Sequence, residues 1–166
     1  RDVKGVAAAL MAGERFVLRG HYRVGAQILE ALGQKMPAPR PEANYQARLE
    51  QTRAFRRTAM GLIAPITQGR VALDGAQEIG FLKTLYPEDK RLFLPLIEIQ
   101  ALTKAWQTYK RGVMLPVLGH KLHPFYGTYV PPRQPHLELF GTWLSQYRGR
   151  KDRAIDVGTG SGILAF

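Results

Sequence analysis

Three glycines on alternate positions, Gly158, Gly160 and Gly162, follow directly on a short apolar run that contains a carboxylate, Ala154-Ile155-Asp156-Val157. An apolar pair, Ile163-Leu164, resumes at once. That order predicts a strand, a tight glycine loop and the first turn of a helix. Glycine reaches positive φ and has no Cβ, so a backbone built this way can pass close to an extended ligand. At the head of a helix the free N–H groups and the positive dipole end favour an electron-rich partner. Asp156 falls at the C-terminal edge of the predicted strand. It either faces such a ligand or caps the helix that begins near Ile163.

The segment Asp156-Val157-Gly158-Thr159-Gly160-Ser161-Gly162 resembles the first motif of class I S-adenosylmethionine-dependent methyltransferases, acid-x-Gly-x-Gly-x-Gly. The competing pattern is the dinucleotide fingerprint G-x-G-x-x-G. Three positions after Gly160 stands Ile163, so the third glycine comes one residue too early for it. A dinucleotide would place pyrophosphate at the helix head. S-adenosylmethionine has no phosphate, and its amino acid end carries an ammonium that a strand-end carboxylate can hold by a charge-assisted hydrogen bond. The resemblance implies that Asp156, Gly158, Gly160 and Gly162 lie along the methionine and ribose part of S-adenosylmethionine, with Thr159 and Ser161 contributing backbone. It also implies a ribose-binding acid on a second strand and a later acceptor loop. Neither is found by Phe166. A lone strand of a parallel sheet has no partner, so the 166 residues alone are expected to transfer no methyl group. No catalytic residue is assigned.

Upstream, the stretch from His123 to Phe140 resembles the lead-in to that motif in release-factor glutamine methyltransferases, where a hairpin-like stretch ends in Pro-Arg and a helix follows. The correspondence rests on Pro132-Arg133, on Glu138, and on Leu137, Phe140 and Leu144 sharing a helical face. The usual Pro-Arg-Pro-x-Thr-Glu wording is replaced by Pro-Arg-Gln-Pro-His-Leu-Glu. Segments in this place fold over the bound cofactor in the family, which makes Tyr126, Tyr129 and Arg133 candidates for its lid; ordinary packing is the other use of the two tyrosines.

The rest of the chain reads as helical. Helices are expected over 3–12 and 15–32, broken near Gly13, with Leu18, Tyr22, Gly25 and Leu29 on one face of the second and Leu32 close to it. Pro37, Pro39 and Pro41 forbid a helix and read as a stiff connector. A long helix is expected from Glu42 to about Thr67, ended or kinked by Pro65. Asp74-Gly75-Ala76-Gln77 has the form of a capping box and predicts a helix to Leu85. The broadest apolar stripe, Leu92, Leu96, Ile99, Thr103 and Trp106, predicts a helix over 88–110, with Trp106 in a core.

The fold expected is therefore mainly α: a helical bundle over 1–112, then over 113–166 the truncated start of an α/β Rossmann-like methyltransferase domain, comprising lead-in segment, helix, first strand and glycine loop. The resemblance implies a parent enzyme that methylates a protein or RNA acceptor.

A net charge of +11, from 24 Lys and Arg against 13 Asp and Glu, attracts polyanions. It leaves open a second function, a basic helical module that binds RNA or ribosome without catalysis; the plainer use of the charge is a solvated arginine-rich surface. Without cysteine there are neither disulfides nor thiolate metal sites. His21, His120, His123 and His136 are scattered, and no metal site is expected. No apolar run approaches the ~18–20 residues that a membrane span needs, and no leader pattern is recognisable, so a cytoplasmic location and no membrane partner are expected.

Overall fold

The computed structural model describes residues 2–36, 44–87, 91–130, 135–150 and 152–163. The connector prolines, Arg133, Leu164 and the start of the helix expected from Glu88 lie outside these described residues. Six helices hold 51% of the residues and strands only 15%, which makes the chain mainly α with a small mixed sheet. It divides into two compact units, residues 1–104 and 105–166, the division falling inside a helix rather than at the expected 112/113 boundary.

The first unit opens with α1 (Val3–Met11), whose N-cap is Asp2; its carboxylate accepts the Gly5 N–H at 2.8 Å. Small buried residues, Ala7 and Ala9 beside Val6 and Leu10, let α1 pack closely on α2 (Tyr22–Lys35). Between them lies β1 (Phe16–Val17), in a stretch expected to be helix. Gly25 is the point of closest approach in α2: a Cβ there would overlap the side chains of Leu18 and Leu96. α3 (Tyr45–Ala59) is capped by Asn44, buries only Ala59, and ties Arg56 to Glu98 by an ion pair.

Where the long helix was expected to continue, the chain instead forms β2 (Leu62–Thr67). Leu62, Ala64 and Ile66 are buried with Pro65 between them, a continuous apolar run that suits a central strand. Pro65 lacks an N–H to donate, but its carbonyl still accepts from the Ala72 N–H at 2.9 Å. β2 is the hub of the sheet. β1 pairs with it in parallel (Phe16 opposite Leu62), and β3 (Arg70–Val71) and β4 (Leu92–Pro95) pair with it antiparallel. The β2–β3 turn uses Gln68 at φ 52 and Gly69 at φ 66, the two positive angles of a tight hairpin turn whose twist matches its strands.

The all-helical expectation for this unit thus gives way to helices around a four-stranded mixed sheet. Asp74 caps no helix; it forms a bridge with His21, and α4 is confined to Phe81–Leu85. The stripe expected from residue 88 divides into β4 and α5 (Leu96–Arg111), with Leu96, Ile99 and Leu102 buried on the helix.

In the second unit, β5 (Val113–Leu115) and β6 (His120–Leu122) form a hairpin around a 3-10 turn at Pro116–Leu118. A turn at Phe125–Thr128 follows, and α6 (Pro135–Gln146) begins with proline at a position that needs no N–H. Leu115, Leu137 and Ile163 make the core of this unit, with Val113, Leu118, Leu122 and Val130 packed against it. On the α6 face read from the sequence, Leu137 is buried, Phe140 is half-buried and Leu144 is 41% exposed. Among the described residues, no helix is long and apolar enough to cross a membrane.

Candidate functional site

The strand expected to end at Asp156 does not form: residues 153–156 pair in no ladder, and Val157 already belongs to a turn. Ile155 and Val157, on alternate positions, are each 91% exposed.

The loop that follows is tightly determined. Gly158, Gly160 and Gly162 take φ of 83°, 56° and 75°, a conformation that costs any L side chain about 1–2 kcal/mol. The Thr159 hydroxyl donates to the Asp156 carbonyl at 3.1 Å, and the Gly162 N–H donates to the Thr159 carbonyl at 2.8 Å. Ile163 then enters the core beside Leu115 and Leu137 and anchors the far end of the loop. A Cβ on Gly160 would stand 3.0 Å from the Tyr129 carbonyl oxygen, so the loop passes directly against the lead-in backbone there. Nothing lies within 4 Å of the Cβ position at Gly158.

Asp156 is partly buried, and its Oδ2 is shielded from solvent with no hydrogen-bond partner. Leaving a buried acceptor unmade costs about 1–3 kcal/mol, more for a charged group. A native chain keeps such an oxygen where something else satisfies it. Four residues earlier, Asp152 is exposed and accepts from both Nε and Nη2 of Arg150 at 3.1 and 2.6 Å, which lowers its carboxyl below the usual range. The two aspartates therefore differ in kind: one is paired at the surface, the other has a sheltered oxygen with no hydrogen-bond partner among the described residues.

Of the residues named from the sequence, Asp156, Gly158, Thr159, Gly160, Ser161 and Gly162 form one continuous loop, and Tyr129 touches it. The contact recorded for Tyr129 comes from its backbone and ring base, while the side chain as a whole is 65% exposed. Tyr126 is half-buried in the preceding turn, and Arg133 lies outside the described residues. Sequence reasoning missed that Ile163 and Leu137 clamp the loop together; the apolar residue just after the last glycine was the available signal. Among the described residues no group of three or more His, Asp or Glu could hold a metal ion. His120 and His123 instead donate through Nδ1 to the carbonyls of Leu118 at 2.8 Å and Tyr109 at 2.5 Å. An open cavity of about 470 Å³ in the first unit, lined by Met11, Arg15, Arg57 and Met60 among others, holds none of the residues named from the sequence.

Comparisons with protein-family models, curated proteins and solved structures return no match for this chain.

Proposed function

We propose that this chain carries the cofactor-binding loop of an S-adenosylmethionine-dependent methyltransferase whose acceptor is a protein or an RNA, acting in the cytoplasm. The observation that carries the reading is the pairing of an unpartnered, sheltered Asp156 Oδ2 with a loop whose three alternate glycines all stand at positive φ. A carboxylate oxygen without a donor suits an ammonium. A glycine backbone free of Cβ atoms lets an extended ligand lie along the loop. In this reading Asp156 holds the amino acid end of the cofactor, and the Gly158–Gly162 backbone supports its middle. Tyr129 borders the loop from the lead-in side. The cofactor supplies the activated methyl group; the chain's own part is to bind and orient it.

Ile155 and Val157, apolar and exposed, fit a reading in which a further layer covers this segment. Methyl transfer is accordingly assigned to a protein in which additional strands cover them. Calorimetric titration with S-adenosylhomocysteine, on residues 1–166 and on a form extended past Phe166, tests the proposal. Binding by the extended form, abolished by Asp156→Ala, is the expected result. Absence of binding by either form overturns it.

A further inference from the structure

Side chains alternate across the four-stranded sheet of the first unit. Leu62, Ala64 and Ile66 of β2 are enclosed on one face, together with Leu18, which meets Gly25 of α2. The register gathers the opposite face: Val17 stands across from Ile63, Ile63 from Pro95, and Pro65 from Phe93. Val17 is 45% exposed and Phe93 43%, so this second face is left uncovered.

Two open cavities lie along it. The one at the start of β2, about 470 Å³, is walled by Met11, Met60, Ile63 and Pro95, with Arg15, Arg57 and Glu14. The one at its end, about 560 Å³, is walled by Pro65, Thr67 and Ala72, with Arg19 and Arg91. All four arginines are exposed, and none has an ion-pair partner among the described residues. Glu14 is the one carboxylate among the described residues that line either cavity. The face is thus an aliphatic floor with a pair of arginines at each end.

We propose that this sheet face docks an acidic amphipathic helix of a partner protein. Three strands span about 10 Å at their usual spacing, which matches the roughly 10–12 Å width of an α-helix with its side chains. An apolar stripe would settle on Val17, Ile63, Phe93 and Pro95. Carboxylates on its flanks would reach the arginines. Nucleic acid fits worse. Its phosphates suit arginine, but its bases need open ring faces. The floor is aliphatic except for Phe93, which already carries the Arg91 guanidinium 5.4 Å from its ring centre. A flat bilayer would touch Val17 and Phe93 but not the buried Pro65 between them. A second copy of this chain would set one cationic face against another. Neither Asp156 nor the glycine loop takes part, so the docking face stands or falls apart from the cofactor reading.

The test is fluorescence anisotropy of a labelled helical peptide of about twenty residues, with leucines on one stripe and glutamates on both flanks. It is titrated with the 166-residue chain at ~50 mM salt. Binding is expected, and it should weaken about threefold to tenfold when the flanking glutamates become glutamine. Arg19→Gln together with Arg91→Gln should shrink that difference and leave affinity for the glutamine peptide unchanged. Val17→Thr exchanges a methyl for a hydroxyl at an exposed strand position and should weaken both peptides about threefold. A peptide with its leucines scattered around the helix should not bind. Circular dichroism and the melting temperature check the fold of each variant; should Val17→Thr unfold, the arginine pair alone decides. The proposal is overturned by no binding of the glutamate peptide, or by equal affinity for the glutamate and glutamine peptides. An oligouridylate of equal charge that binds as tightly through the same arginines overturns it too. So does a dimer of this chain that Val17→Thr dissolves, which would give the face to a second copy.

Discussion

The two units differ in how many large apolar residues they enclose. In residues 1–104 Leu10, Leu32, Leu62, Ile66, Phe81, Leu82, Leu96 and Ile99 are essentially inaccessible to solvent, while Tyr45, Met60 and Phe93 stay exposed. Among the described residues of 105–166 only Leu115 is so enclosed, while Leu139, Trp143, Ile155 and Val157 are exposed. A unit of the first kind holds its shape by its own burial. A unit of the second kind holds a small anchor and leaves larger apolar side chains in contact with solvent.

The contrast can be tested from the most damaging change to the least. Leu62→Ala, at the hub strand, removes a fully enclosed side chain and is expected to cost about 2–5 kcal/mol in thermal or denaturant unfolding. Retention of full stability would show that the inward-facing unit is not held by its core. Leu137→Ala takes away one of three anchors and should cost about 2–4 kcal/mol. Its sharper signature is faster amide exchange at Gly160 and Gly162; protection unchanged there would mean that the loop does not rest on the anchor. Gly25→Ala forces a methyl onto Leu18 and Leu96 and should lose about 1–3 kcal/mol through overpacking, read as a lower melting temperature.

The smallest effect is a pH dependence. Burial raises the Tyr22 hydroxyl above its ordinary value of 10.0, against the weaker opposing pull of hydrogen bonds with Gln100 and Thr103. The folded chain therefore keeps that proton when the unfolded chain has lost it. Stability from this group is whole below about pH 10 and drains as pH climbs through the raised value. Tyr22→Phe should leave a shallower alkaline decline in the melting temperature, and an identical decline in both proteins would remove Tyr22 from the account.

What could be read from the sequence was set by how local the cause was. The first helix and the glycine loop both follow from residues within a turn or two of one another. The sheet does not. Leu62-Ile63-Ala64 suits a buried strand and a buried helix equally well, since a short apolar run has no period to tell them apart. Pro65 looked like a helix stop and is instead tolerated in β2, where its carbonyl alone is used. Leu92 matched the stripe of α5 by chance of spacing, although it pairs opposite Ile66. At the candidate site the composition of the loop was legible, but the backbone of Tyr129 against Gly160 came from a contact over thirty residues of separation that no spacing rule encodes.

The hub position of β2 also sets a timetable for synthesis. Its parallel neighbour, Phe16–Val17, leaves the ribosome long before it, and its antiparallel neighbour, Leu92–Pro95, well after. At roughly 5–20 residues per second, one edge of the strand stays open for on the order of a few seconds during translation. An open edge is a template for any passing strand, so this interval is when the nascent chain is most exposed to pairing with the wrong neighbour.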